Sequence, residues 1–164
     1  MNNRLNYRLA LESDVPAIVE MLADDELGAM REDFRRPLPQ RYVDAFRNIS
    51  CDENQELTVV ELDGEVAGTF HLSFIQYLTH RGGMRAQIEA VRIKSEMRGN
   101  GIGKEIFQYI IQRAKDRRAH MVQLTTHHHP HMVQLTTHHQ RPGALRFYRR
   151  LGFVNSHNGM KLCL

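Results

Sequence analysis

The sequence predicts one domain of mixed α/β class, in which a sheet carries helices on its faces. Its 164 residues correspond to roughly one typical domain. Hydrophobic residues make up 41% and charged residues 25% of the chain, as in ordinary globular proteins. Segments with a strand period of two alternate with segments of helical period along the chain. A chain of this length buries a complete core without disulfides or metal ions.

The first part of the chain predicts a strand followed by helices. Ser13 and Asp14 are N-cap residues, and Pro16 suits the first turn of the helix that follows them. The expected elements are a strand at Tyr7–Ala10, a helix after Pro16, a loop or irregular helix over Ala23–Arg36 and a helix over Gln40–Asn48.

A hairpin and a further strand are predicted next. Asp63-Gly64 favours a tight turn between strands at Leu57–Leu62 and Glu65–Phe74. A turn at His80–Gly83 then leads to a strand at Arg85–Ile93.

The strand Arg85–Ile93 contains a slip in its alternation. Ile88 and Ala90 share one face, and then Val91 and Ile93 share the other. A β-bulge produces such a slip, and a strand buried on both faces blurs the pattern in a similar way. The pattern alone leaves both interpretations open.

Two helices are predicted in the last part of the chain. The long helix has an apolar stripe at helical spacing, formed by Gly103, Ile106, Phe107, Ile110, Ile111 and Ala114. A final helix is expected from Gly143 to Leu151, closed by Gly152. Short strands near Phe153–Asn155 and Met160–Leu164 complete the predicted sheet.

One segment of the chain is repeated letter for letter. His120–His128 recurs as His131–His139, an offset of 11 residues within 120–141. We interpret it as a tandem duplication of one strand, because two copies of this length are too few for a repeat array. We expect Met132–Thr137 to occupy the sheet and His120–Pro130 to be surplus, which keeps the final helix close to its strand. Strand exchange in a homodimer is the alternative.

The net charge of +3 is divided unevenly along the chain. Residues 1–83 have a balance of −7 and residues 84–164 a balance of +10. A basic half attracts polyanions, either nucleic acid or a phosphorylated small molecule, whereas an acidic half favours cations. Two solvated faces of opposite sign are the other interpretation.

A glycine-rich loop, Arg98-Gly-Asn-Gly-Ile-Gly103, lies between the strand ending at Ile93 and the long helix. Its glycines permit a tight turn and expose backbone N–H groups, and the helix N-terminus adds partial positive charge. Arg98 and Lys104 supply full charges, so the loop predicts an anion cradle. Its spacing fits neither a P-loop nor a dinucleotide fingerprint. A glycine turn chosen for shape alone is the alternative.

This arrangement resembles the GNAT superfamily of acetyl-CoA-dependent N-acyltransferases. The loop Arg98–Gly103 and the segment Ala144–Phe153, A-L-R-F-Y-R-R-L-G-F, carry the resemblance. The order of strands and helices extends it over nearly the whole chain, apart from the 11 extra residues. The resemblance implies a mixed, mostly antiparallel twisted sheet with a bulge and a splay at the cofactor site.

The resemblance also implies acetyl-CoA as co-substrate, with its pyrophosphate on the loop and its pantetheine arm along the bulged strand. No metal is expected. The implied cofactor-binding residues are Val91, Arg92, Ile93, Arg98, Gly99, Asn100, Gly101, Ile102, Gly103 and Lys104.

Three residues are implied for direct acetyl transfer to an amine. Tyr148 occupies the position of the general acid, and Glu89 that of a carboxylate that removes the amine's proton. The backbone N–H of Val91 is the expected oxyanion donor, because a bulge frees it from the ladder. A packing tyrosine and a solvated glutamate are the alternatives.

The cysteines, the histidine run and the acidic segment give weaker indications of function. Cys51 and Cys163 lack a recognisable histidine partner, so no covalent role is expected. The run 127–131, H-H-H-P-H, alternates sides and is broken by Pro130, so no functional metal is expected. The family generally builds its acceptor pocket from the first helices and the loop after them. The resemblance therefore implies that the acidic segment forms a wall of this pocket and binds a cationic amine. A solvated acidic loop is the alternative. The acidic residues of the segment are Asp24, Asp25, Glu26, Glu32 and Asp33.

We therefore expect a cytoplasmic N-acetyltransferase that acts on a small-molecule amine. No apolar run approaches the ~20 residues that span a bilayer, no signal peptide is recognisable, and two cysteines fit a reducing compartment. No membrane or nucleic-acid partner is expected. Open alternatives are a protein N-terminal or lysine acetyltransferase, an acetyl-CoA-binding domain whose turnover the duplication impairs, and a nucleic-acid binder.

Overall fold

A computed structural model describes residues 5–125, 142–152, 154 and 159–164. Two single-turn 3-10 segments, Glu12–Asp14 and Ser95–Met97, precede α1 and α5. The strands are β1 (Leu5–Leu9), β2 (Gln55–Leu62), β3 (Glu65–Gln76), β4 (Met84–Ile93), β5 (Met121–Thr125) and β6 (Gly159–Cys163). The helices are α1 (Val15–Ala23), α2 (Glu26–Arg31), α3 (Gln40–Ser50), the one-turn α4 (Thr79–Gly82), α5 (Ile102–Asp116) and α6 (Pro142–Arg150).

The six strands form one sheet in sequence order, β1 to β6. Every neighbouring pair is antiparallel except β4 and β5, which are parallel. Among the described residues, the pairing between β4 and β5 covers Arg85–Ile88, the first part of β4. The splay implied by the family resemblance stays a prediction. The predicted fold class is confirmed.

The β2–β3 hairpin turns at Asp63 and Gly64, both of which have positive φ, 53° and 85°. Positive φ at both central positions is the geometry of a type I′ turn, which matches the twist of antiparallel strands. The hairpin predicted from this dipeptide is confirmed.

The slip in β4 is a β-bulge. Thr69 pairs with Arg92 and His71 with Glu89, so Ala90 and Val91 together face the single residue Phe70. Ala90 has φ 54°, the left-handed conformation that the extra residue of a bulge adopts. Of the two interpretations that the sequence left open, the bulge is confirmed.

Each face of the sheet has its own apolar core. Phe70, Leu72 and Ile88 pack against Ile106 and Ile110 of α5 on one face. The opposite face packs against α1 and α3, with a core of Ala10, Val15, Ile18, Val19, Met21, Phe46 and Val59. Because side chains alternate along a strand, Thr69 and His71 point to the second face while Phe70 points to the first.

The predicted acidic loop over Ala23–Arg36 contains a short helix. α2 begins after Asp25, whose carboxylate accepts a hydrogen bond from the Gly28 N–H at 2.6 Å. Asp14 precedes α1 but does not cap its N–H groups. Its carboxylate accepts instead from the Leu11 N–H and from the Arg8 guanidinium.

The structure corrects the assignment of the repeated strand. The first copy forms β5, with Val122 buried between β4 and β6, whereas Met132–Thr137 lies outside the described residues. The reason lies in the residue before each copy. Ala119 is buried and its N–H donates to the Ala114 carbonyl at 2.9 Å. Pro130, which precedes the second copy, has no N–H to make that bond.

His120 adds to the attachment of the first copy. Its N–H donates to the Met84 carbonyl at 3.0 Å, and its carbonyl accepts from the Leu164 N–H at 3.1 Å. Its ring nitrogen Nε2 lies 2.8 Å from the Tyr77 hydroxyl. Strand exchange through the second copy stays a prediction.

Within the described ranges, no helix is both long and apolar enough to cross a bilayer. α6 matches the predicted final helix, and Gly152 follows it with φ 90°. Phe153 and Asn155, which the sequence placed in a strand, lie outside the described residues, whereas Met160 and Cys163 belong to β6.

Candidate functional site

The glycine loop presents open backbone at the start of α5. Gly99 and Gly101 have φ of 83° and 81°, and Gly101 is the N-cap residue of α5. A Cβ at either glycine would meet no atom of the described residues within 4 Å, so both Cβ positions are open there. Gly103 has no positive φ, and a Cβ there would make an ordinary 3.5 Å contact with Ile93 Cδ1. Gly99 and Gly101 therefore shape the loop, and the first N–H groups of α5 point from it without intrahelical acceptors.

Arg98 is held at the edge of this loop by two hydrogen bonds. Its Nε donates to the Ile93 carbonyl at 3.0 Å, and its Nη2 donates to Asp24 Oδ2 at 2.8 Å. Asn100 Nδ2 donates to the Met97 carbonyl at 3.3 Å, which closes the turn before the glycines. The cation thus has a fixed position beside the N-terminus of α5, where an anion is favoured.

A cavity of about 260 Å³ connects this loop to the bulge. It is lined by Asp25, Val91, Arg92, Ile93 and Arg98. The structure therefore brings together Arg98 and the three β4 residues that the sequence assigned to cofactor binding. Arg92 Nε is buried there and has no hydrogen-bond partner within the described part of the chain, while its Nη2 lies 3.5 Å from Asp25 Oδ2.

A second cavity, of about 150 Å³, lies on the opposite side of the bulge. Its walls are mainly apolar and come from α1, α3, β2 and β3, including Ile18, Phe46 and Leu57. Ala90 of the bulge lines it as well. Consecutive residues of β4 thus open onto two cavities, Ala90 onto the apolar one and Val91 onto the one beside the glycine loop.

His71, which lines the apolar cavity, is not among the residues that the sequence predicted to be functional. Its Nε2 atom is buried and has no hydrogen-bond partner among the described residues. Burial lowers the pKa of the imidazole below its usual range, and the nearby Glu89 carboxylate opposes that shift only in part. The signal that could have revealed it is a lone histidine within the apolar strand segment T-F-H-L-S-F.

Glu89 lies on β4 directly across from His71, and it is exposed. Because cross-strand partners share a face of the sheet, both side chains belong to the α1–α3 side. Tyr148 lies on α6, half-buried, with its ring 5.3 Å from that of Phe147 in an edge-to-face arrangement. The catalytic roles of Glu89, Tyr148 and Val91 stay predictions.

The acidic segment forms ion pairs and hydrogen bonds rather than an acidic acceptor wall. Asp24 pairs with Arg98, and Asp25 with Arg92. Asp33 pairs with Arg41, and Glu32 accepts from the Tyr42 hydroxyl. Across the described part of the chain, the residues lining the apolar cavity include none of the five carboxylates from Asp24 to Asp33. The description of this segment as a wall for a cationic amine is not supported by its contacts.

The remaining candidate residues lie away from both cavities or outside the described residues. Cys51 and Cys163 are exposed free thiols. The described residues contain no group of three or more histidine, cysteine, aspartate or glutamate side chains that could hold a metal ion. The histidine run 127–131 lies outside them, so its metal-binding behaviour is not tested.

Comparison with known proteins gives a consistent result. Residues 23–153 match the model of the acetyltransferase (GNAT) family. The aminoalkylphosphonate N-acetyltransferase of Salmonella typhimurium is 26% identical over 118 residues, which cover 72% of this chain and 69% of that protein.

Two solved structures extend the comparison. A transcriptional regulator from Bacillus halodurans is 44% identical, covering 98% of this chain and 100% of that chain, with a TM-score of 0.72. A predicted acetyltransferase from Clostridium acetobutylicum, solved with acetyl-CoA, is 20% identical, with a TM-score of 0.57 over 93% of this chain and 92% of that chain. The second likeness is one of fold alone.

Proposed function

Because this chain belongs to the acetyltransferase (GNAT) family and is an acyltransferase, we propose that it moves an acetyl group from acetyl-CoA to the primary amine of a small molecule. The observation that carries the proposal is the pair of cavities that meet at the β4 bulge. One cavity adjoins an anion-binding loop, and the other is a compact apolar chamber. Two substrates in such chambers approach each other at Ala90 and Val91.

The glycine loop supports pyrophosphate binding. Open backbone at Gly99 and Gly101, the N-terminus of α5 and the fixed Arg98 guanidinium together suit a polyanion. Lys104, in the first turn of α5, adds a second cation. Bound acetyl-CoA supplies an acetyl group activated as a thioester. Its pantetheine arm fits β4 at Val91–Ile93, beyond the pairs that β4 makes with β5 among the described residues.

The bulge supports stabilisation of the transition state. Val91 has no register partner on β3, so its N–H is suited to receive the negative charge that develops on the thioester oxygen. The Tyr148 hydroxyl protonates the departing thiolate, and Glu89 passes the amine's proton to solvent. Glu89 suits that last task because it is exposed on the acceptor side of the sheet.

The size of the acceptor cavity favours a small amine over a protein substrate. A chamber of about 150 Å³ between α1, α3 and the sheet encloses a compact group. A lysine or N-terminus of a protein needs an open groove for the flanking chain. Acetylation of proteins is therefore the second candidate, and a binding domain without turnover is the third.

A nucleic-acid role has one observation in its favour, the name of the Bacillus halodurans relative. Part of the basic half is occupied within the protein, since Arg113 and Arg117 both donate to the buried Glu56 carboxylate. A gel-shift assay at two salt concentrations tests this role, because phosphate contacts weaken steeply with salt.

Two measurements test the proposed function. Isothermal titration calorimetry measures the affinity for acetyl-CoA, and a thiol-release assay measures turnover with a panel of small amines and peptides. Binding together with thiol release from a small amine is the expected result. Binding without release from any acceptor supports the non-catalytic alternative, and release with peptides alone supports protein acetylation.

A further inference from the structure

Among the described residues that line the apolar cavity, His71 has a buried side-chain nitrogen, Nε2, without a hydrogen-bond partner. The other polar side chains that line it already have partners. Thr69 Oγ1 donates to the Thr58 carbonyl at 2.9 Å. The Tyr42 hydroxyl accepts from the Asp33 N–H at 2.8 Å and donates to Glu32 Oε2 at 3.1 Å. A buried nitrogen without a partner is unfavourable, so a ligand that satisfies it binds more tightly.

The position of His71 places this nitrogen beside the proposed reaction centre. His71 pairs with Glu89, the residue immediately before the bulge, and it shares the cavity wall with Ala90. The titratable groups that face it are Glu89 from β4 and Tyr42 from α3. Glu89 is exposed, whereas His71 Nε2 is buried.

We propose that His71 Nε2 directly accepts the proton of the acceptor amine inside the apolar cavity, and that Glu89 stabilises the resulting imidazolium and passes the proton to solvent. This inference rests on the proposed acetyl transfer and adds the identity of the first proton acceptor. A histidine that burial keeps neutral at neutral pH holds a free lone pair for this step.

The proton and the electrons balance without a further reactant. The ammonium form of the amine loses one proton to Nε2, and its nitrogen lone pair then forms the C–N bond to the acetyl carbon. The C–S bond breaks with its electron pair on sulfur, and the thiolate takes the proton of the Tyr148 hydroxyl. The imidazolium proton leaves through Glu89, and the acylated nitrogen gives up its second proton to restore the Tyr148 hydroxyl, which leaves a neutral amide. The net products are an amide, a free thiol and one proton.

The cavity also defines the chemical class of the acceptor. Its lining is mainly apolar, and a cavity of about 150 Å³ in a protein core can hold a benzene-sized molecule. A primary amine on a single aromatic ring or a short alkyl group fits this space. A diamine would place a second charge against apolar walls such as Ile18 and Phe46, which is unfavourable.

The test compares benzylamine with putrescine as acceptors, in wild type and in His71→Gln and Glu89→Gln variants. Glutamine keeps the approximate size of histidine and cannot take up a proton. We expect benzylamine to be the better acceptor and His71→Gln to lower its kcat/KM by about 100-fold or more. Glu89→Gln should lower it less. His80→Gln, an exposed histidine on α4, is the matched control and should match wild type.

The pH profile separates proton acceptance from a structural role. Wild-type kcat/KM should fall at acidic pH, below the ordinary titration range of histidine because burial lowers the pKa of His71, and His71→Gln should lack this limb. Calorimetry should give the same acetyl-CoA affinity for both proteins, which shows that the variant is folded. A His71→Gln enzyme with wild-type kcat/KM and an unchanged limb would overturn the inference while leaving the proposed function intact.

A measurement that needs no turnover covers the case in which wild type shows no activity. If wild type releases no thiol with any amine, the proposed function fails, and NMR of ¹⁵N-labelled histidine then tests the site alone. Benzylamine should shift the His71 Nε2 resonance and leave that of His80 unchanged. An unshifted His71 resonance at saturating benzylamine would overturn the inference.

Discussion

Ala90 and Val91 are consecutive residues of one bulge, and they open onto different cavities on the two sides of β4. The arrangement depends on the left-handed backbone of Ala90, φ 54°, which turns the strand between them. A regular strand would keep Val91 in register with β3 and its N–H in the ladder.

Replacing Ala90 tests this dependence. Ala90→Val places a β-branched side chain at positive φ and fills part of the apolar cavity, so the free energy of unfolding should fall by about 2 kcal/mol. The KM for the amine should rise. Ala90→Gly adopts positive φ without strain and is the matched control. Urea unfolding and acceptor kinetics measure both effects, and equal behaviour of the two variants would contradict the argument.

The glycine loop gives the second prediction. Gly101→Val should weaken acetyl-CoA binding by about tenfold or more, because its side chain enters the open space that the pyrophosphate needs. Gly64→Val is the control, since Gly64 also has positive φ and open surroundings but lies in the β2–β3 turn. Calorimetry should show the loss in Gly101→Val alone. Similar acetyl-CoA affinities of Gly101→Val and Gly64→Val would show that the loop does not bind the cofactor.

Tyr148 gives the third prediction. Tyr148→Phe keeps the ring beside Phe147 and removes the hydroxyl, so turnover should drop by about 10²–10⁴-fold if it is the general acid. Acetyl-CoA affinity should stay the same. An unaltered kcat would assign Tyr148 to packing only.

The fourth prediction concerns acid stability at the β1–α1 junction. Hydrogen bonds from the Arg8 guanidinium, at 2.6 and 3.0 Å, lower the pKa of the Asp14 carboxyl, and the Leu11 N–H adds to that shift. A lowered folded-state pKa contributes stability above the ordinary pKa near 4, and this stability is lost as the pH falls through the folded value.

Asp14→Asn should therefore lower the free energy of unfolding by about 2 kcal/mol at pH 7 and flatten its decline below pH 4. Asp44→Asn, on the exposed side of α3, is the control and should retain the wild-type curve. Urea titrations from pH 7 to pH 2 measure both. If the free energy of unfolding declined in parallel in Asp14→Asn and Asp44→Asn as the pH falls, Arg8 would not be stabilising the charged form of Asp14.

The repeat gives the fifth prediction. Because the first copy forms β5, 16 residues, 126–141, connect that strand to α6. Deletion of 129–139 leaves five connecting residues and the whole of β5. Loop-closure entropy then favours the folded state by about 1 kcal/mol, and turnover should rise because α6 is tethered more closely. A deletion variant with lower stability would show that the second copy has its own place in the fold.

Local chemistry made much of the fold predictable. Three elements depend only on residues close together in the sequence: the Asp63-Gly64 turn, the apolar stripe of α5 and the glycine loop. Local sequence patterns were therefore sufficient to predict them. The identity of β5 depends on the N–H of Ala119, a contact outside the repeated letters. The ion pair of Asp24 with Arg98 and the exposure of Glu89 result from tertiary packing. His71 was missed for the same reason, since only the folded cavity shows that its nitrogen lacks a partner.

The repeat has a genetic consequence that follows from the place of its first copy. Any deletion of 11 consecutive residues that begins between His120 and His129 yields the same polypeptide, because the repeated letters are identical. Many distinct replication errors therefore converge on one shorter protein, and that protein keeps both Ala119 and the strand that follows it. A later deletion can therefore remove the duplication without loss of β5, because one complete copy of the strand remains whichever copy is removed.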